Sequence, residues 1–193
     1  MSGERMSGER MSGERMSDER PGKRAIVSSS HLVSERAAEL SEFEFGLIIA
    51  SHAFDRWAVR CMAAAGLTDL SRLDVLVLHS VNHRARDKKL ADICFVLNVE
   101  DAHTVSYALK KLVRLGLVEG TRRGKEIHYT TSAEGRDACQ RYRQVREDCL
   151  VSALGVFSGP SGGDVNPQIG GLADLLRALS GLYDQAARAA TSL

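Results

Sequence analysis

The sequence predicts a mainly α-helical fold with one small β-hairpin, and three observations carry that expectation. Apolar residues recur at the i, i+3, i+4, i+7 spacing of an amphipathic helix in several separate segments. Only one stretch, "LVEGTRRGKEIHYTT", alternates in the manner of two short strands around a turn. The composition is 44% hydrophobic but only 5% aromatic, which suits helices packed through Ala and Leu.

The first twenty residues stand apart. "MSGER" occurs three times in tandem and is followed by "MSDER", with no apolar side chain except Met. Such an array cannot bury enough surface to offset its chain entropy. Residues 1–33 are therefore expected to be a disordered tail, whose repeat array at residues 1–20 reads as a short coding duplication, with Met6, Met11 and Met16 as alternative starts, rather than as an interaction tail. A long helix follows, from about Ser34 or Ser41 to Ala64. Phe43, Leu47, Ala50, Phe54, Trp57 and Cys61 line one face of it, and Gly66 ends it. A second helix, from about Asp69 to Asn82, buries Leu73, Leu76, Val77 and Val81. "RARDKK" leaves room for a minimal strand at most before a third helix, "LADICFVLN".

The fourth helix, within "DAHTVSYALKKLVRLGLVEG", has two unlike faces. Val105, Ala108, Leu109 and Leu112 fall together. His103, Tyr107, Lys110, Lys111 and Arg114 gather opposite, with Thr104 and Ser106 at the margins. Asp101 is placed to cap the N-terminus and Gly116 to end the helix in a left-handed turn. A merely solvated face would be rich in Glu–Lys pairs, which support a helix four residues apart. This one has no acid after Asp101 and instead offers hydroxyls, an imidazole, a phenol and cations. Those groups suit base edges and phosphates. Two short helices with a tight turn between them read as a helix-turn-helix. The alternating stretch then brings Arg122, Arg123 and Lys125 to a hairpin tip, where they repel unless an anion meets them. A helix-turn-helix with a cationic hairpin is a winged helix. Ser132 caps a further helix, from about Ala133 to Phe157. "SGPSGGDVNPQIGG" breaks the chain, and Leu172, Leu175, Leu176, Leu179, Leu182, Tyr183 and Ala186 mark a last amphipathic helix.

Residues 34–193 resemble the MarR family of winged-helix transcriptional regulators. The resemblance rests on the helix order, on "GLT" at Gly66–Thr68, on "LAD" at Leu90–Asp92, on "TVSYALKKLVRLGLVEG" as recognition helix running into the wing, and on "SAEGRD" after the hairpin. The chain departs from the family in two places. The stretch from Leu90 to the recognition helix is about one turn longer, and the wing lacks the acidic-x-Arg pattern common at its tip. The resemblance implies a winged helix at about residues 67–131, flanked by dimerisation helices at about 34–64 and 133–193. It also implies a homodimer that represses transcription from an inverted-repeat operator in double-stranded DNA. Apolar stripes on the first and last helices, without an obvious partner in one winged helix, support the dimer independently, the alternative being that the two helices pack on each other within one chain. Base or near-base contacts are expected from His103, Thr104, Ser106 and Tyr107, and phosphate contacts from Lys110, Lys111 and Arg114. Phosphate or narrow-minor-groove contacts are expected from Arg122, Arg123 and Lys125. A small aromatic or acidic effector, bound between the dimerisation helices and the winged domain, is the trigger the resemblance implies, with no pocket residues assigned.

The net charge of +1 carries no global nucleic-acid signature, but residues 84–128 hold ten Lys/Arg against six Asp/Glu. No HExxH, GxSxG, P-loop or dinucleotide motif occurs, so no enzyme activity, metal or cofactor is expected. His79 and His83 have a ligand-like spacing without a third ligand beside them. No apolar run reaches the ~20 residues of a membrane span, and the N-terminus has no signal-peptide core. A cytoplasmic protein with four reduced thiols, Cys61, Cys94, Cys139 and Cys149, is the expectation. Two other readings stay open: a winged-helix protein–protein interaction module without DNA binding, and a redox regulator using Cys61 or Cys139, each of which lies near arginine in the chain.

Overall fold

A computed structural model describes residues 29–34, 36–157 and 164–193. The repeat array lies outside the described residues, as do residues 158–163 of the Gly-rich break. The chain divides into two units, Met1–Ala50 and Ser51–Leu193. In the first, a short 3-10 turn, Ser30–Leu32, precedes helix α1, Ala38–Ala64. Leu40, Phe45, Leu47, Ile48 and Ile49, all on α1 before the division, are exposed.

The second unit holds the end of α1 and then α2 (Arg72–Asn82), β1 (Lys88–Lys89), α3 (Leu90–Leu97) and α4 (Ala102–Arg114). Next come β2 (Val118–Arg123), β3 (Glu126–Thr131), α5 (Ala133–Arg146) and α6 (Asn166–Ala190). Helices α2, α3 and α4 close around a core in which Val75, Leu78, Ile93, Val105, Leu109 and Leu112 are fully buried. Met62 from α1 and Ala138 and Tyr142 from α5 complete it. The minimal strand allowed between α2 and α3 exists: β1 joins the hairpin in a three-stranded antiparallel sheet of order β1-β3-β2. Lys88 pairs with Tyr129 and Lys89 with His128.

Local chemistry sets the element ends. Ser71 and Asp74 form a reciprocal capping box at the start of α2. The Asp101 carboxylate accepts from the His103 amide at 2.8 Å, and the Ser132 hydroxyl accepts from the Gly135 amide at 3.0 Å. Gly116, at φ +72°, ends α4 in the left-handed region that side chains disfavour. The two-residue hairpin loop, Gly124-Lys125, starts with Gly124 at φ +64°. The fifth helix is shorter than the sequence predicts. Regular α-structure stops at Arg146; a π-helical turn spans Glu147–Val151 and a 3-10 segment Ser152–Phe157. The apolar spacing survives these changes of winding, so it could not signal them.

His79 carries a desolvated polar atom against this core. Its ring meets Tyr142 edge-on at 4.5 Å, and its Nε2 is buried without a hydrogen-bond partner among the described residues. Burial holds its pKa below the ordinary histidine value, so the folded protein takes up this proton less readily than the unfolded chain. Stability is therefore complete above the unfolded pKa of ~6.5 and falls as pH drops below it, by at most about 1.4 kcal/mol per pH unit. Urea unfolding between pH 7 and 5 should show this slope, and His79→Phe should flatten it. An unchanged slope would assign the acid sensitivity to other groups.

Candidate nucleic-acid interface

Helix α4 sorts its residues as its 3.6-residue period requires. Val105, Ala108, Leu109 and Leu112 are buried, while His103, Thr104, Lys110 and Arg114 are exposed and Tyr107 is 76% exposed. Ser106 is half-buried. Thr104, exposed, donates its hydroxyl to the Asp101 carbonyl at 2.8 Å. The Lys110 ammonium stands 5.7 Å from the Tyr107 ring centroid, within cation–π range. This face borders an open cleft of about 620 Å³ against the start of α2, whose lining includes Asp74 and Lys111 as well as Thr104, Tyr107, Lys110 and Arg114.

Lys111 is placed differently from its neighbours. Its ammonium donates to the Asp74 carboxylate at 2.9 Å and to the Asp69 carbonyl, and its side chain is only 25% exposed. It ties α4 to the capping box of α2 while lining the same cleft as Lys110. Adjacent cations on one helix thus have separate partners, because a step of 100° carries Lys111 to the edge of the buried stripe.

The hairpin presents Arg122, Arg123 and Lys125 at its exposed end. Arg122 Nε donates to the Gly124 carbonyl at 3.3 Å. Arg123 Nη1 meets Asp87 Oδ2 at 2.5 Å, and Lys89 Nζ meets Glu126 Oε2 at 2.6 Å. Lys125 has no ion-pair partner among the described residues. A second cleft, of about 260 Å³, lies where Lys110 and Val113 of α4 face Gly120, Ile127 and Tyr129 of the hairpin. Helix α4 and the hairpin therefore border one cleft, with Lys110 as its cation on the α4 side. Sequence reasoning did not single out Asp87 or the partners of Lys111, since neither lies within a motif.

Other chemistry is sparse. Among the described residues no group of three His, Cys, Asp or Glu could hold a metal ion, and no helix is long and apolar enough to cross a membrane. All four cysteines are free. Burial pushes the Cys61, Cys94 and Cys139 thiols up, Cys139 to about 11, the opposite of what an easily oxidised thiol needs. Cys61 also donates its S–H to the Tyr142 carbonyl at 3.5 Å.

Residues 70–135 match a family model described as a winged helix DNA-binding domain. No curated protein matches the sequence. Among solved structures, AbfR of Staphylococcus epidermidis is 18% identical with a TM-score of 0.58, over 78% of this chain and 97% of that one. A mutant MarR from E. coli complexed with operator DNA is 18% identical with a TM-score of 0.57, over 76% of this chain and 99% of that one. NadR in complex with 4-hydroxyphenylacetate is 17% identical with a TM-score of 0.54, over 71% of this chain and 91% of that one. The chain has the MarR-type fold, built around a winged helix domain at residues 70–135.

Proposed function

We propose that the protein is a cytoplasmic, dimeric, sequence-specific DNA-binding transcriptional regulator of the MarR type, acting as a repressor under the control of a small-molecule effector. The observation that carries this reading is the outer face of α4: hydroxyl, imidazole, phenol and cationic groups without an acid, beside a hairpin that ends in three cations. His103, Thr104, Ser106 and Tyr107 read base edges; Lys110 and Arg114 hold phosphates; Arg122, Arg123 and Lys125 meet the backbone or minor groove. Lys111 serves the fold rather than the DNA. The operator complex of the MarR neighbour supports the partner, and the NadR complex supports a small aromatic acid as effector class. Exposed apolar residues support self-association: Leu40, Phe45 and Ile48 on α1, and Leu172, Leu175 and Leu182 on α6. The operator is then an inverted repeat, mirroring the dimer's two-fold.

Fluorescence anisotropy on arbitrary duplex DNA tests the reading. Affinity should fall steeply between 50 and 200 mM salt, with a log–log slope of several units, about 0.9 for each phosphate neutralised. On the selected operator, Tyr107→Ala should cost ~1–3 kcal/mol and on random duplex little. Absence of duplex binding at low salt would favour the interaction-module reading instead.

A further inference from the structure

Asp87 lies outside both the recognition helix and the hairpin, yet it contacts the hairpin's end. The residues around it explain why. Lys88 is 5% exposed and donates to the carbonyls of His83 at 2.5 Å and Arg86 at 3.2 Å, so its side chain points inward and gathers the preceding loop. Successive side chains of an extended chain point to opposite sides. With Lys88 directed inward, Asp87 and Lys89 face the hairpin. In the β2–β3 register Arg123 lies opposite Glu126, which would be its natural partner. Glu126 is already engaged by Lys89 at 2.6 Å, and Arg123 instead meets Asp87 Oδ2 at 2.5 Å. The same oxygen lies 3.9 Å from Nδ1 of His128, the residue paired with Lys89.

We infer that Asp87 is the positioning residue for Arg123 in DNA binding, supplied from outside the wing because the wing's own acid opposite Arg123, Glu126, is engaged by Lys89. The inference rests on the DNA-binding function proposed above. A guanidinium carries five N–H donors in a rigid plane, and one carboxylate occupies at most two of them. The Arg123 side chain is 60% exposed, so its remaining donors face solvent while Asp87, 29% exposed, holds its inner edge. Arg123 then meets a phosphate or groove edge with its rotamer already chosen, and the ordering that binding would otherwise require is done in the free protein.

Charge alone predicts the opposite outcome, which makes the inference testable. Removing an acid beside a DNA-contacting cation raises the local positive potential and, with no positioning role, strengthens binding to a polyanion. The test measures anisotropy of the full-length protein on one fluorescent duplex for wild type, D87A, D87E, R123A and the double variant D87A/R123A. Far-UV circular dichroism checks that each is folded. D87A should weaken binding about five- to tenfold, D87E should recover most of the loss, and D87A should produce no further weakening in the R123A background. In parallel, NMR relaxation of the Arg123 Nε–Hε group should show a more mobile side chain in D87A without DNA. Equal or tighter binding by D87A, or the same loss with and without Arg123, overturns the inference. A wild-type protein that binds no duplex overturns the proposed function itself, and that result is read before any variant is compared.

Discussion

Gly135→Ala is expected to lower the stability of the fold by about 3 kcal/mol or more, toward the upper end of what overpacking a filled core costs. Gly135 sits in the first turn of α5, where its amide bonds the Ser132 cap. A Cβ there would lie 2.0 Å from the Leu117 carbonyl oxygen, 2.7 Å from Thr131 Cγ2 and 3.0 Å from the Leu117 carbonyl carbon. The obstacle is backbone that cannot retreat. The Leu117 carbonyl accepts from the Ser132 amide at 3.1 Å, its own amide bonds the Leu112 carbonyl at 3.0 Å, and its side chain is 1% exposed. Either α5 lifts from the root of the hairpin or the turn after α4 distorts. Alanine otherwise favours a helix by up to ~1 kcal/mol over glycine, so the clash must exceed that gain. Gly170→Ala in α6, where an added Cβ meets nothing within 4 Å, is the control and should be neutral or mildly stabilising. Urea midpoints at fixed m-value measure both. A Gly135→Ala protein as stable as wild type would show that α5 docks more loosely than these contacts require.

Gly135 also shows what kind of information the sequence carries. "SAEGRD" was legible as a motif, and the Ser132 cap could be derived from its residue type and place. The reason for a glycine at the fourth position was not legible, because Leu117 approaches it only through the turn between α4 and β2. Helix α4 was legible in detail: period alone placed Val105, Ala108, Leu109 and Leu112 inside, and all four are buried. Capping chemistry at Asp101 and the turn at Gly116 are equally local and equally readable. The pairing of β1 with β3 is not local. Two lysines form no pattern until Tyr129 and His128 are known to lie beside them. Asp87 was hidden for the same reason. Where α5 gives way to π-helical and then 3-10 winding, the residues keep a helical rhythm, and periodicity cannot separate one helix type from another.

The two adjacent lysines of α4 should separate stability from DNA affinity. Lys111→Met is expected to cost about 1–3 kcal/mol of stability, below the range for breaking a fully buried ion pair because Lys111 is a quarter exposed and partly screened. The loss arises at Asp74, whose side chain is 6% exposed and whose Oδ2 also accepts from the Ser71 amide and hydroxyl, each at 2.8 Å. Without the ammonium, a nearly buried carboxylate keeps only neutral donors, the Asp69 carbonyl loses its contact, and α4 loses its tie to the start of α2. Methionine keeps the unbranched stem, so the charge is removed with little change in packing. Lys110→Ala is expected to do the reverse. Its side chain is exposed over Tyr107, so stability should change by less than about 0.5 kcal/mol. Its loss should reduce the salt slope of duplex binding by about 0.9 for one lost phosphate contact. Urea unfolding and salt-dependent anisotropy on the same preparations give both quantities. If Lys111→Met lowers the salt slope and leaves stability unchanged, its ammonium leaves Asp74 for a phosphate when DNA binds, and both lysines belong to the DNA-binding face.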